Sequence, residues 1–509
     1  MLKDLLVGVD LGTTATKAAL YRLDGTLVSE ARVEVPLTRP APGHVEQDTG
    51  DFYRSAAVAV RRCLATCNAD SGLIAGIAFD SQMAGVGAVD EQFQPVMPFD
   101  SWLDMRCRPY IDQLQRTAAA RITELTGCAP TCDHGPKMMW WNYERPEIAR
   151  RVAKWIMPAA YVAGRMAGIR VADAFMDYTF LHFTALADAR SGAWSDELCG
   201  LLGIRKEQLP SIVEPWRQVG EVGDQAAADF GLPVGLPIAA GAGDTAAGAL
   251  GAGAVTPGIL LDTAGTAAVL AACTSRFCAD VSHGALIVMR SVVEGVWNPL
   301  AYIAGGGLLI PWFRETFPSG DSGGPDEVIF DRIFEQALSA PAGCEGLVFS
   351  PHLGGRICPA GPGMRGSWVG FSWSHQRPHF IRAMVESVGY EYVLYLRILK
   401  ELLPEVNFTE ARVIGGGARS TAWNRIKASI LGVHYRRVRA QESATWGCAL
   451  IAAKATGLIG DLATAATEFA PVCAEVIDPD TNDRAAYQRG LETYLRWQDL
   501  FERGFEAEQ

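Results

Sequence analysis

Three glycine-bearing turns in this chain have the composition of phosphate cradles. Asp10-Leu11-Gly12-Thr13-Thr14 sets a carboxylate, a glycine and two hydroxyls directly after a short apolar run. Glycine lets backbone N–H groups approach a phosphate and the hydroxyls add donors. A carboxylate at a strand end can hold Mg²⁺ through water. A plain hairpin turn has the same composition, and both readings stand here. Gly265-Thr266 is a second such turn. Gly415-Gly416-Gly417-Ala418 is a third, between the apolar run 411–414 and a helix expected from about Ser420. Three glycines at a helix N-terminus suit a nucleotide; a flexible strand–helix turn is the plainer alternative.

Two further clusters suit an acceptor. Asp244 ends an apolar strand and opens an Ala/Gly-rich helix, where a carboxylate can take a proton from a substrate hydroxyl. Asp is also a favoured helix N-cap, and the local sequence alone favours capping. Gln82-Met83-Ala84 follows a buried strand at 73–80, and Trp102, Asp104 and Arg106 lie just beyond. Amides, an indole and charged groups after strands suit a polyhydroxy ligand; a core Trp102 beside a surface Asp104–Arg106 pair is the alternative.

Other motifs fail. There is no GxxxxGK[ST] phosphate loop, and Asp229-Phe230-Gly231 lacks the other protein-kinase motifs. His375 and His379 flank Pro378, which suggests a loop entering a helix rather than a zinc site.

The elements that position these residues follow from periodicity. Residues 5–10, 16–23 and 26–35 read as three strands of a meander, with Asp24-Gly25 as a hairpin turn. The first glycine turn therefore joins strand to strand, unlike a Rossmann turn. A helix is expected over 51–67, a mostly helical Trp-rich segment over 108–201, a strand over 237–244, two strands around a turn over 258–273, and a polar amphipathic helix over 485–506. The segments Asp10-Leu-Gly-Thr-Thr-Ala and Asp262-Thr-Ala-Gly-Thr-Ala begin alike, except for one extra residue before the second glycine. Two halves with the same opening topology would face their turns across a cleft and clamp a triphosphate between them.

The 509 residues are enough for two large domains, divided as 1–246 and 247–509. A 49% apolar and 20% charged composition excludes disorder as the main state. A net charge of −12 argues against nucleic acid or an anionic membrane as partner. The apolar stretch 236–273 is broken by Asp244, Pro257 and Asp262, so no membrane helix is expected. Twelve scattered cysteines without a CxxC pair read as free thiols in a reducing cytoplasm.

Taken in order, these residues resemble the FGGY carbohydrate kinases of the actin/Hsp70-like ATPase superfamily. Gly135-Pro136-Lys137-Met138-Met139-Trp140-Trp141 resembles the family's first signature. Gly366-Ser-Trp368-Val-Gly370-Phe371, followed by His379 to Glu386, resembles its second, with Phe371 where an aliphatic residue is usual. The stretches 43–48 and 415–420 also look like family landmarks. The resemblance implies an α/β fold of two actin/Hsp70-like (ribonuclease H-like) domains around a cleft, and ATP with Mg²⁺. It places Asp10, Gly12, Thr13, Thr14 and Lys17 at the first phosphate turn, with Asp10 toward Mg²⁺ through water. Gly265 and Thr266 fall at the second turn, and Gly415, Gly416, Gly417 and Ala418 at the adenosine side. Asp244 becomes the catalytic base, and Gln82, Met83, Ala84, Trp102, Asp104, Arg106 and Thr245 fall on the sugar side.

The xylulokinase-like members are the most similar subgroup. This chain has Ala84 where they carry His, Thr245 where they carry Asn, and Arg356 where they carry Glu, which points away from D-xylulose as preferred acceptor. The expected partners are a small sugar and ATP, with a homodimer compatible. The alternative from another class is an actin-fold ATPase of the heat-shock chaperone type, which uses the same Asp-Leu-Gly-Thr-Thr turn.

Overall fold

The computed structural model describes residues 3–67, 70–318, 326–439, 443–470 and 472–506. Its N-terminal half contains β1 (Leu5–Leu11), β2 (Ala15–Arg22), β3 (Leu27–Glu34), α1 (Thr49–Cys67), β4 (Ile74–Ser81), α2 (His134–Glu144), α3 (Pro158–Ala167), β5 (Gln218–Glu221), β6 (Pro237–Ala239), β7 (Ala242–Gly243) and α4 (Asp244–Gly251). Its C-terminal half contains β8 (Ile259–Ala264), β9 (Ala268–Ala272), β10 (Ile287–Arg290), β11 (Trp297–Ile303), α5 (Arg377–Leu402), β12 (Glu410–Ile414), α6 (Thr421–Leu431), β13 (His434–Val438), α7 (Ser443–Ala455), β14 (Val472–Ile477) and α8 (Arg484–Glu506).

The two sheets repeat one topology. In the first, the order β3-β2-β1-β4-β6 runs antiparallel through the meander and parallel from β1 onward, with β5 antiparallel at the edge. In the second, β11-β9-β8-β12-β13 follows the same pattern, with β14 as the antiparallel edge and β10 added beside β11. This is the duplicated actin/Hsp70-like arrangement, and the similarity between the two Gly-Thr turns is its trace in the sequence. The 108–201 segment is less helical than its composition suggests: short strands interrupt the helices, among them Lys154–Ile156, which pairs with Gly87–Val89.

Strand β1 is buried on both faces, so it carries no polar alternation until Asp10. Leu5, Val7, Val9 and Leu11 pack with Phe52, Ala56 and Val60 of α1 and with Tyr161 and Val162 of α3. The other face meets the C-terminal half. Helix α7, which follows β13 in the second half, crosses over and packs against α4, β1 and β4. The approach is close: a Cβ at Gly447 would fall 2.0 Å from Ala247 O, so only glycine lets the two helices touch backbone to backbone there. Tyr21 and Thr445 join hydroxyls across this junction at 2.8 Å. Among the described residues no helix is long and apolar enough to cross a membrane.

Candidate active site

The turn between β1 and β2 is closed by Gly12 N–H donating to Ala15 O at 3.1 Å. With alternation along β1, Asp10 shares the face that looks toward the other half, opposite Lys17 on β2 with 3.8 Å between their charged groups. Asp262 begins the corresponding segment of β8, but one extra residue separates it from its glycine. That single step turns it to the opposite face. It is wholly buried, bound by Lys427 and, at 2.8 Å, by the Tyr392 hydroxyl, and serves the core of its half.

Strands β1 and β4 are parallel, with Asp10 level with Asp80. Asp80 is fully buried and accepts the Cys448 thiol from α7 at 3.1 Å. Burial first, then the charges of Asp10 and Asp244, push its carboxyl well above the usual range. Asp80 thus brings a second carboxyl beside Asp10. Its sequence signal was an Asp ending a strand otherwise wholly apolar, a position that reads equally well as a strand terminus.

Asp244 is the first residue of α4. Gly243 is the N-cap residue and makes no side-chain cap, so the capping role favoured by the local sequence is not what this carboxylate does. Its Oδ1 accepts from Thr245 N at 2.6 Å and Thr245 Oγ1 at 3.1 Å, while its Oδ2 has no hydrogen-bond partner among the described residues. The group is half-buried. Burial, and then the charge of Asp10, raise its pKa to about 6. A partly desolvated carboxylate with one oxygen anchored and the other open is suited to accept a proton.

The second turn and the Gly415–Ala418 loop are adjacent, because β8 and β12 are parallel neighbours ending side by side. Gly265 N–H donates to Ala267 O at 3.2 Å and Gly307 N–H to Thr266 O at 3.1 Å. Gly415 sits at φ +87°, where a Cβ would lie 2.7 Å from Ala264 O, so glycine is required. Ser420 then caps α6 through Trp423 N at 3.2 Å, and Asn424 holds Ala418 O at 2.8 Å. The Gly12–Thr14 and Gly265–Thr266 turns lie on different halves and share no hydrogen bond among the described residues. At Gly265 the protein itself has room for a side chain, since the nearest atom to a Cβ is 3.7 Å away. If this turn receives phosphate, as its composition suggests, Gly265→Val should leave the melting temperature unchanged while ADP affinity falls about tenfold or more by calorimetry, because the added methyls would block the phosphate's approach. Unchanged affinity refutes the phosphate turn.

Among the residues expected on the sugar side, Gln82 Nε2 donates to Gln47 Oε1 at 2.7 Å, Gln47 Nε2 to Thr13 O at 3.0 Å, and the Trp102 indole to Thr13 Oγ1 at 2.9 Å. These bonds tie the Gly12–Thr14 turn to the wall that carries Gln82 and Trp102. Met83 packs on Gly243, and Ala84 is buried at φ +60°. The alternative of a core Trp102 with a surface Asp104–Arg106 pair is reversed in the structure. Trp102 is 42% exposed, and Asp104 and Arg106 are buried. Arg106 grips Asp104 at 2.9 and 2.7 Å and Glu46 at 2.7 Å, and lies over the rings of Trp140 and Trp141. Their charged groups are consumed by one another, so they shape the wall that carries Trp102. Arg356 likewise faces inward, 3.6 Å from the buried Glu391. His379 closes a capping box on Gln376, and no group of three or more His, Cys, Asp or Glu among the described residues could hold a metal.

The chain matches the N-terminal domain of the FGGY family of carbohydrate kinases over residues 5–251 and its C-terminal domain over residues 261–456. The chain belongs to the FGGY family of carbohydrate kinases. It is therefore a phosphotransferase acting on an alcohol group, and the chaperone alternative falls. Xylulose kinase of Bacillus subtilis (strain 168) is 26% identical over 466 residues, 91% of each chain. Gluconokinase of the same organism is 26% identical over 462 residues, 89% of this chain and 88% of that one. The crystal structure of xylulose kinase from Rhodospirillum rubrum has 25% identity and a TM-score of 0.88, covering 99% of this chain and 100% of the other. Gluconate kinase from Lactobacillus acidophilus, at 23% identity, has a TM-score of 0.90 with 99% of each covered, a likeness of fold.

Proposed function

We propose that this FGGY kinase transfers the γ-phosphate of ATP to a hydroxyl of a four- to six-carbon ketose, polyol or sugar acid, with pentuloses such as xylulose as the leading class. The observation that carries the mechanism is Asp244, its Oδ1 tied to Thr245 and its Oδ2 open. The acceptor hydroxyl would lie against Oδ2, in line with a triphosphate spanning the Gly12–Thr14 and Gly265–Thr266 turns. Asp244 takes the hydroxyl proton as the new P–O bond forms and the bond to ADP breaks. Gly415–Ala418 receive the adenosine side, and Lys17 offsets charge near Asp10. Asp10, level with Asp80 on the neighbouring strand, is a donor that suits Mg²⁺, which kinase sites hold through one or two carboxylates, water and substrate phosphates rather than an all-protein cage. Asp10 would hold it through water, and it would offset charge on the phosphate oxygens. Closure of the halves would exclude water. All twelve cysteines are unpaired thiols, which supports a reducing cytoplasm as the site of action.

The test is ADP release over a panel of ketopentoses, ketohexoses, polyols and aldonates. Ala84 offers no hydrogen bond where the xylulokinase-like pattern has an imidazole, so D-xylulose should not give the highest kcat/KM. D-xylulose ranking first by tenfold or more would overturn that reading of Ala84. No acceleration by any member would overturn the proposal. With the best acceptor, kcat/KM should fall about tenfold per pH unit below about 6, as Asp244 takes up its proton. A profile flat down to pH 5 contradicts Asp244 as the base.

A further inference from the structure

The turn that presents Asp244 is gripped from the side by a segment far from it in sequence. Asp177 caps the short 3₁₀ turn Tyr178–Phe183. Its Oδ1 accepts from Thr179 N at 2.9 Å and from the Thr179 hydroxyl at 2.5 Å. With its single proton so committed, Thr179 Oγ1 presents lone pairs outward, and one accepts Gly243 N–H at 2.9 Å. Gly243 directly precedes Asp244. On its other flank Ala242 and Gly243 pair with Asp80 and Ser81 of β4, and Met83 fills the place of a Cβ at Gly243, 2.5 Å from its Cε. The gripping segment is itself anchored: the Tyr178 hydroxyl donates to Val292 O at 2.8 Å, and the Arg290 guanidinium lies 4.3 Å over its ring. Asp177 and Thr179 are both buried.

Resting on the reading of Asp244 as the base, we propose that Thr179, oriented by Asp177, is a positioning residue that fixes the Gly243 peptide and thereby the aim of Asp244 at the acceptor hydroxyl. Without this bond the Gly243 amide must find another acceptor in a buried setting, and the turn rotates to do so. A displacement of about 1 Å at a reacting group costs up to about 100-fold in rate.

The experiment compares Thr179→Val, which keeps the shape and removes the hydroxyl, with Thr179→Ser, which keeps the hydroxyl, each alone and in the Asp244→Asn background. Thr179→Val should lower kcat about tenfold or more with both KM values changed less than about threefold. Thr179→Ser should keep at least half the wild-type kcat. In the Asp244→Asn background Thr179→Val should change the residual rate less than twofold, since the group it aims is gone. Equal losses in both backgrounds, no retention by serine, or an unchanged kcat overturns the proposal. Thr179→Ala gives the same comparison if the valine variant does not fold. Asp244→Asn keeping more than a tenth of wild-type kcat would sink the underlying base assignment; its loss of activity together with an indifferent Thr179→Val sinks only the positioning role.

Discussion

Asp244→Asn should lower kcat by about 10²–10⁴-fold while ADP still binds, and should make the folded protein more stable above pH 6. The first part follows from geometry. Asparagine keeps the oxygen that accepts from Thr245 and replaces the open Oδ2 with a group that cannot take a proton. The proposed nucleotide turns are untouched, so ADP calorimetry serves as the control. A variant keeping more than a tenth of wild-type kcat would falsify the assignment.

The stability gain has a definite sign. Burial and Asp10 raise the folded-state pKa of Asp244 to about 6, above its value in an unfolded chain. A carboxylate whose pKa is raised by folding favours the folded state when protonated and opposes it when ionised. The opposition is absent below about pH 4, grows between about 4 and 6, and is complete above 6. Asparagine removes it, contributing on the order of 1 kcal/mol at pH 8 once screening at this half-buried site is allowed for. The melting-temperature difference between variant and wild type should therefore be positive at pH 8 and shrink as pH falls toward 4. A difference independent of pH would assign the effect to packing.

Local patterns carried the elements near the phosphate turns well. Strands β1 to β3, β8 and β9 announce themselves by short apolar runs around glycine turns, and the repeated Gly-Thr turn betrays the duplicated topology. Partnerships across the chain were not legible. Asp10 and Asp262 open similar segments, yet one meets Lys17 beside the cleft and the other Lys427 in the core. The one-residue difference is visible in the sequence, but its consequence depends on which face of each sheet meets the other half. Trp102 and Arg106 carry the same lesson: a large apolar ring is expected inside and a charge outside, and the bonds to Thr13, Asp104 and Glu46 invert both. Asp177 and Thr179 had no local signal beyond their types, and the place of Asp80 at the end of an apolar strand did not set it apart from a strand terminus, because their roles arise from β4 lying beside β1 and from a 3₁₀ turn lying beside Gly243.

Lys137 shows how much of the proposed acceptor wall hangs on one such long-range partnership. It projects from α2, wholly buried, and its ammonium donates to Asp100 Oδ1 at 2.6 Å, Ser101 O at 2.8 Å and Asp104 O at 2.9 Å. Burial works against its charge, but Asp100 outweighs it and holds its pKa above the ordinary lysine value. These three bonds fix the loop that presents Trp102 to Thr13. Lys137→Met fills the space and removes all three. Asp100, also wholly buried, is left with the Trp141 indole at 3.1 Å and with Arg106 4.0 Å away. Breaking a buried pair from one side leaves an uncompensated charge and costs about 3–5 kcal/mol. The expected result is a lower urea midpoint for Lys137→Met, with acceptor KM raised more than ATP KM in the folded fraction, since the loop lies on the proposed sugar side. Asp100→Leu added to Lys137→Met should recover a large part of the loss, because the stranded charge is what destabilises the single variant. A single variant that loses less than about 1 kcal/mol, or a double variant no better than the single, would mean that the loop is held by Arg106 and the Trp140–Trp141 rings instead.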